Sequence, residues 1–440
     1  MRAKRLIAAI LTALTLFTSA CGSSSAPAED ASAAESVSEP AVSAAADART
    51  EPASEAEPDA EPDALPDRTG AEHVYSGFSD SAGEALAAIA DRYGAVAVEA
   101  AYYGGGDEIL SFSWGYADLY ARRSATTDTK YRVASLSKLV TAVVFMAAED
   151  RGLVDENEDI STYFGETCRN PYFPDAVITP AMLLSHTSSL EPDGETTYYR
   201  RLLSSYSSYQ YLKPGTEYSY SNLGYGVVAC LLERATDRPF NDLAKEFLFD
   251  PLGIDASYVY DELEDASDVG ALYGEGGLSV SSLADIKAKE IGQGTGLAYG
   301  NLIISAKDYV KILSMLIHRG VSVDGKTVLS AESVEKLLQL RIETDDYGVA
   351  FGSQIQTGVI GDDVVYVHTG SACGMFSAFL FDPQSDRAVV ILTVGEPRWL
   401  DPETEVYRLC LDLIRRIWEE TGGEMPNFDI KPGVPAFWFE

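Results

Sequence analysis

Two side chains of the stretch YRVASLSKLVTAVV, Ser135 and Lys138, stand three residues apart at the mouth of an apolar run. Positions i and i+3 share one helix face, so the hydroxyl and the amine would point into the same space. A serine nucleophile needs a base for its proton, donors for the oxyanion and an orienting group. A plainer reading competes, because Ser before an apolar helical segment is also an ordinary helix starter. The tetrad Ser-x-x-Lys occurs again at Ser333–Lys336 in SAESVEKLLQL, on what reads as a surface helix. Other residue types supply what the tetrad lacks. YSYSNLGYG contains Tyr220, which can relay protons, and Asn222, whose amide can hold a substrate carbonyl and the lysine. DVVYVHTGSACG places His368, Thr369 and Gly370 at the end of a strand-like run, where glycine lets a substrate backbone approach the edge. These too have plainer readings: Tyr220 and Asn222 as loop residues, Tyr299-Gly-Asn301 as a second chance match, and His368 as a satisfied core histidine.

The elements that must position these residues follow from periodicity. SAGEALAAIADRYG reads as a helix ending at Gly94, and AVAVEAAYY and EILSFSWGYADL read as two strands. Helical patterns dominate from Ser135 to about Leu340, among them KLVTAVVFMAAEDRG, TPAMLLSHTS, LGYGVVACLLERATD and AKDYVKILSMLIHRG. Strand-like runs return in GVAFGSQIQ, DVVYVHTG, MFSAFLFDP and RAVVILTVG, before a final helix in ETEVYRLCLDLIRRIWEE. The expected fold is α+β: a mostly antiparallel sheet built from both chain ends, flanked by helices, with an inserted helical lobe. Residues of that lobe and of the late strands should meet Ser135 in the cleft between them.

The 440 residues carry a net charge of −35, divided unevenly. Residues 1–21 carry +3 and residues 22–70 carry −10, leaving −28 for residues 71–440. Such a surface repels phosphate backbones, so no nucleic-acid partner is expected. The start MRAKRLIAAILTALTLFTSACGSSS has a basic beginning, an apolar run and small residues before Cys21. It reads as a secretory signal over 1–20, with Cys21 as a lipid anchor at the outer face of a bacterial cytoplasmic membrane or in the periplasm. Residues 21–75, rich in Ala, Ser, Glu, Asp and Pro, read as a disordered tether. The catalytic body is expected over 76–425, with a tail over 426–440. Cys168, Cys230, Cys373 and Cys410 remain, and a body of this size needs no disulfide staples. The four histidines show no metal-binding spacing, so no metal and no cofactor is expected.

SLSK, YSN and HTG in that order resemble the serine β-lactamase and penicillin-binding protein superfamily. The likeness is to its class C β-lactamase-like branch, with D,D-carboxypeptidase, D-aminopeptidase and family VIII esterase members. ITPAMLLSHTSSL, PGTEYSYSNLGYGVVACLLERATDRPF and FDPQSDRAVVILT extend the resemblance over roughly 80–420. It implies that Ser135 is acylated, Lys138 activates it, and Tyr220 moves protons to the leaving group and from the deacylating water. Asn222 would orient the substrate amide, His368, Thr369 and Gly370 would line the substrate site, and the backbone N–H groups of Ser135 and Ser371 would form the oxyanion hole. His186, in LSHT, is expected near the cleft without a catalytic role. His368 stands where many members of the branch have lysine, which weakens the expected recognition of a substrate carboxylate. The activity implied is hydrolysis of D-amino-acid peptides or related amides, with small-molecule or peptide substrates. Two alternatives are a carboxylesterase of the same fold and a non-catalytic binding or sensing module. No Gly-x-Ser-x-Gly elbow of an α/β-hydrolase occurs.

Overall fold

The computed structural model describes residues 68–424 and 426, apart from 107, 192–204, 275–278, 282–289, 293–295, 345–346, 358, 361–362 and 397–406. Cys21 and the segments 1–20 and 427–440 lie outside the described residues. In chain order the strands are β1 (His73–Ser76), β2 (Ala97–Gly104), β3 (Ile109–Asp118), β4 (Arg123–Ser124), β5 (Tyr131–Arg132), β6 (Leu272–Tyr273) and β7 (Ser279–Ser281). They continue with β8 (Ile303–Ile304), β9 (Ile342–Glu343), β10 (Gly348–Ala350), β11 (Ser353–Thr357), β12 (Val364–Ala372), β13 (Met375–Asp382) and β14 (Arg387–Val394). The main sheet is antiparallel in the order β1-β3-β2-β14-β13-β12-β11-β10-β9, with β4 appended to β3. Its centre is the β2–β14 pair, from Ala97 opposite Val394 to Gly104 opposite Arg387. The two chain ends therefore do build one sheet. It begins earlier than the expected boundary at 76, because His73–Ser76 pairs with Trp114–Ser111. That edge strand is only four residues long with an alternating exposure pattern, too short to stand out by periodicity.

The longer helices are α1 (Asp80–Tyr93), α2 (Ser137–Asp150), α3 (Asn222–Thr236), α4 (Ala306–Ile317), α5 (Ala331–Leu338) and α6 (Arg408–Glu420). α1 ends as its sequence predicts: Gly94 takes the left-handed conformation and its N–H caps the last turn. Successive residues of β14 serve opposite faces, as the pleat requires. Ala388, Val390, Leu392 and Val394 join the core that also contains α2, α3 and α4. Val389 and Ile391 join the second core, with Leu86 of α1 and Leu413, Ile417 and Trp418 of α6. The sheet is thus sandwiched, with α1 and α6 on one face and α4 and the inserted lobe on the other.

α2 is buried nearly all round, from Ser137 to Ala148. A helix without a polar face is a central one, and the rest of the lobe packs around it. The β10–β11 hairpin touches it directly. A Cβ on Gly352, at the hairpin turn with φ of 69°, would fall 2.5 Å from the Cα of Leu139. Only glycine lets that turn sit against the helix.

Candidate active site

Strand β5 delivers the chain to Val133, and a single 3₁₀ turn over Ala134–Leu136 joins it to α2. Ala134 sits at φ of 51°, a left-handed conformation unfavourable for a residue with a Cβ. That local strain turns Ser135 out at the head of the helix. Ser135 does not cap α2, whose start has no side-chain cap. Its Oγ instead accepts hydrogen bonds from Lys138 Nζ and from Tyr220 Oη, each at 3.0 Å.

Lys138 is fully buried. Its Nζ also donates to the Tyr299 carbonyl at 2.9 Å and lies 5.0, 5.9 and 5.6 Å from the ring centres of Tyr220, Tyr225 and Tyr299. Three aromatic faces give the ammonium a partial substitute for water. The Tyr299 segment is gripped by α2 itself. Thr141 Oγ1 donates to the Ala298 carbonyl at 2.6 Å, and Leu302 N–H donates to Ser137 Oγ at 3.1 Å. Tyr299 looked in the sequence like part of a chance Tyr-x-Asn match. It enters the site through its carbonyl, which no residue-type pattern marks.

Tyr220 stands just before α3. Ser221 caps that helix by accepting from Gly224 N–H, and its own N–H donates to His186 Nδ1 at 3.0 Å. The His186 ring stacks on Tyr220 with centroids 4.4 Å apart and planes at 29°. Burial, with the Lys138 charge adding to it, holds His186 well below the ordinary imidazole range, so the ring is neutral. His186 therefore positions Tyr220 from behind. The side-chain amide of Asn222, the first residue of α3, makes no hydrogen bond to Lys138 or to another described residue; the carbonyl of Tyr299 takes the place expected for it at the lysine. The amide of Asn222 stays half-buried and uncommitted.

The third wall is β12. Its pairing with β11 stops at Val367, so His368–Ala372 pair only with β13. Gly370 lies against the nucleophile turn. A Cβ there would come within 2.8 Å of the Val133 carbonyl, 3.1 Å of Ser135 N and 2.3 Å of Ser377 Oγ. The backbone at Gly370 therefore lies close beside the Ser135 amide. His368 is buried, and its Nδ1 donates to the Thr369 carbonyl at 2.6 Å. Burial, then the Lys138 charge, push its pKa down to about 4 against the opposing pull of the Thr369 carbonyl. At neutral pH the ring is uncharged, with Nε2 as an acceptor rather than a donor.

The second Ser-x-x-Lys is a structural feature of α5. Ser333 Oγ donates to Asp150 Oδ1 at 2.7 Å, and Lys336 Nζ pairs with Glu149 at 3.3 Å. Lys336 serves a carboxylate, not the serine. Cys168, Cys230 and Cys410 are buried and form no disulfide. Among the described residues no cluster of His, Cys, Asp or Glu is arranged to hold a metal ion.

A family model described as Beta-lactamase matches residues 82–411. Penicillin-binding protein 4 of Amycolatopsis lactamdurans is 27% identical over 338 residues, covering 71% of this chain and 82% of the relative. Penicillin-binding protein 4* of Bacillus subtilis is 28% identical over 170 residues, and the match spans only 36% of each chain. The D-amino acid amidase of Ochrobactrum anthropi SV3, solved with L-phenylalanine amide, superposes with a TM-score of 0.60 at 19% identity. The superposition covers 78% of this chain and 99% of the amidase. At that identity it speaks for the fold.

Proposed function

This chain belongs to the beta-lactamase family, and from that premise we propose that it is a serine hydrolase that forms an acyl-enzyme on Ser135 with D-amino-acid peptides or related amides. The observation that carries the reading is the pair of 3.0 Å hydrogen bonds converging on Ser135 Oγ from Lys138 and Tyr220. In acylation Oγ attacks the substrate carbonyl carbon. Its proton passes to whichever of the Lys138 amine or the Tyr220 phenol is in its basic form. The same pair then returns a proton to the departing nitrogen as the C–N bond breaks. A water repeats the sequence in deacylation, giving the acid and the free serine. The ammonium form of Lys138 stabilises the alkoxide developing at Oγ, and the N–H groups of Ser135 and Ser371 receive the carbonyl oxygen. Asn222, with its amide free, orients the substrate amide, and Thr369 and Gly370 line the site along β12.

The relatives' names support the substrate class: a penicillin-binding protein and a D-amino acid amidase share this chain's sequence or fold. The neutral His368 supports amides or esters over substrates that need a fixed positive charge at that position. We propose further that Cys21 is lipidated and holds the protein at the outer face of the cytoplasmic membrane. The basic start, apolar run and small residues before Cys21 support this. An intact mass from cells carrying a diacylglycerol adduct, lost in Cys21→Ala, checks it.

The test of the catalytic reading is a time course of protein mass after mixing with benzylpenicillin or a D-alanine amide substrate. The expected result is a Ser135 adduct or hydrolysed substrate, both absent in Ser135→Ala. Turnover that survives Ser135→Ala overturns the reading.

A further inference from the structure

α2 carries two further hydroxyls beside its lysine, on Ser137 and Thr141, and both residues are fully buried, as is Tyr258. Each hydroxyl has a single proton, so partners that can only accept fix the direction of the bonds. Ser137 Oγ donates to the Ala134 carbonyl at 2.6 Å and accepts from Leu302 N–H at 3.1 Å. Thr141 Oγ1 donates to the Ala298 carbonyl at 2.6 Å. Its proton is thereby committed, so across the 3.1 Å contact with Tyr258 Oη the phenol is the donor. Tyr258 Oη also lies 3.2 Å from the Ser137 carbonyl, and its one proton serves both acceptors. Burial pushes the Tyr258 phenol above its ordinary range, so the proton stays on the oxygen. The backbone of Tyr258 is anchored in turn, its N–H donating to Asn241 Oδ1 at 2.7 Å.

A buried carbonyl needs a donor wherever it sits, and Thr141 would meet that need as a plain strut. Its placement gives it more to do. Ala298 immediately precedes Tyr299, whose carbonyl accepts from Lys138 Nζ at 2.9 Å, and Leu302 follows three residues later. The acceptor of the lysine therefore lies between two ties, both made by the helix that carries the lysine. Lys138 and Thr141 stand at i and i+3 of that helix and share one face. A lysine ends a flexible four-carbon stem, so its nitrogen goes where its acceptors hold it. Here Nζ lies 3.0 Å from Ser135 Oγ and 2.9 Å from the Tyr299 carbonyl. We propose that Thr141 is a positioning residue of the catalytic machinery: its bond to Ala298 fixes the adjoining Tyr299 carbonyl, which keeps Lys138 Nζ in reach of the nucleophile. The proposal rests on the serine-hydrolase reading of Ser135, because Lys138 matters only if that serine reacts.

The test follows labelling of Ser135 by an uncharged fluorophosphonate in the full chain, read by intact mass over time and over a series of reagent concentrations. It yields a maximal rate, a half-saturating concentration and, from the end point, the fraction of competent sites. Thr141→Ala removes the donor without adding bulk, whereas Thr141→Val puts a methyl where the hydroxyl stood 2.6 Å from the carbonyl. Both should lower the maximal rate about tenfold or more, since a small misplacement of a catalytic group costs up to about a hundredfold. The half-saturating concentration should stay within about twofold, because Lys138 acts on Oγ and not on the bound reagent. Thr141→Ser, which keeps the donor, should restore the rate to within about threefold. A maximal rate in Thr141→Ala within about threefold of the unsubstituted protein overturns the proposal, even if Thr141→Val is slow from crowding. So does a loss confined to the fraction of competent sites, failure of both donorless variants to fold, or failure of Thr141→Ser to rescue, each of which would leave Thr141 a strut. If the unsubstituted protein is not labelled at Ser135, the serine-hydrolase reading falls first and this proposal with it.

Discussion

Replacing Gly370 with alanine probes the site through a single methyl group. Its Cβ would meet Ser377 Oγ at 2.3 Å, the Val133 carbonyl at 2.8 Å and Ser135 N at 3.1 Å. The serine hydroxyl can rotate away, but the Val133 carbonyl is backbone and cannot. Relief requires β12 and the nucleophile turn to separate by several tenths of an ångström. The cost in stability should be about 1–3 kcal/mol, as for other overpacked positions. The cost in turnover should be larger, because Ser371 N–H moves with β12 while Ser135 N–H stays with α2. Losing alignment of one oxyanion donor costs about 10²–10³ in kcat. The assay is kcat and KM on an amide or ester substrate beside a thermal melt of each variant. Gly370→Ala should lower kcat about a hundredfold with little change in KM. Adding Ser377→Ala should recover little, since the backbone clash remains. If Gly370→Ala keeps kcat within about threefold, or if Ser377→Ala restores it fully, then β12 does not carry an oxyanion donor beside Ser135.

The other predictions concern the groups around that contact. Ser333→Ala should leave turnover intact but cost about 1 kcal/mol of stability by removing the bond to Asp150, read by urea unfolding. His186→Ala should lower kcat about tenfold or more and melt the protein earlier, because a buried Ser221 N–H loses its acceptor at a cost of about 1–3 kcal/mol. Stability should fall as pH drops from about 6.5 to about 4, since unfolded His368 and His186 take up protons that the folded rings refuse. For His368, displaced from 6.5 to about 4, the loss amounts to about 3 kcal/mol at most, and His368→Gln should flatten that part of the melting-temperature profile. Ala134→Gly should be tolerated, whereas Ala134→Val should abolish activity, because a β-branched residue cannot hold a φ of 51°.

The sequence by itself determined the elements whose signals are local. The helix closing at Gly94, the largely apolar α2, and the continuous hydrophobic runs of β13 and β14 are each readable within a dozen residues, because burial leaves a local signature in the chain. It also placed Ser135, Lys138 and Tyr220 by residue type and order. The sequence also read Ser333–Lys336 as a helix face, and tertiary structure added the partners that hold it, Asp150 for Ser333 and Glu149 for Lys336. Tertiary structure alone set Tyr299 beneath Lys138 across 161 residues and Tyr220 beside Ser135 across 85. A carbonyl acceptor and a stacked imidazole carry no pattern in a linear chain. Every residue has a carbonyl, and whether a ring or a charge finds a partner depends on which distant segments the fold brings within about 3–5 Å of it.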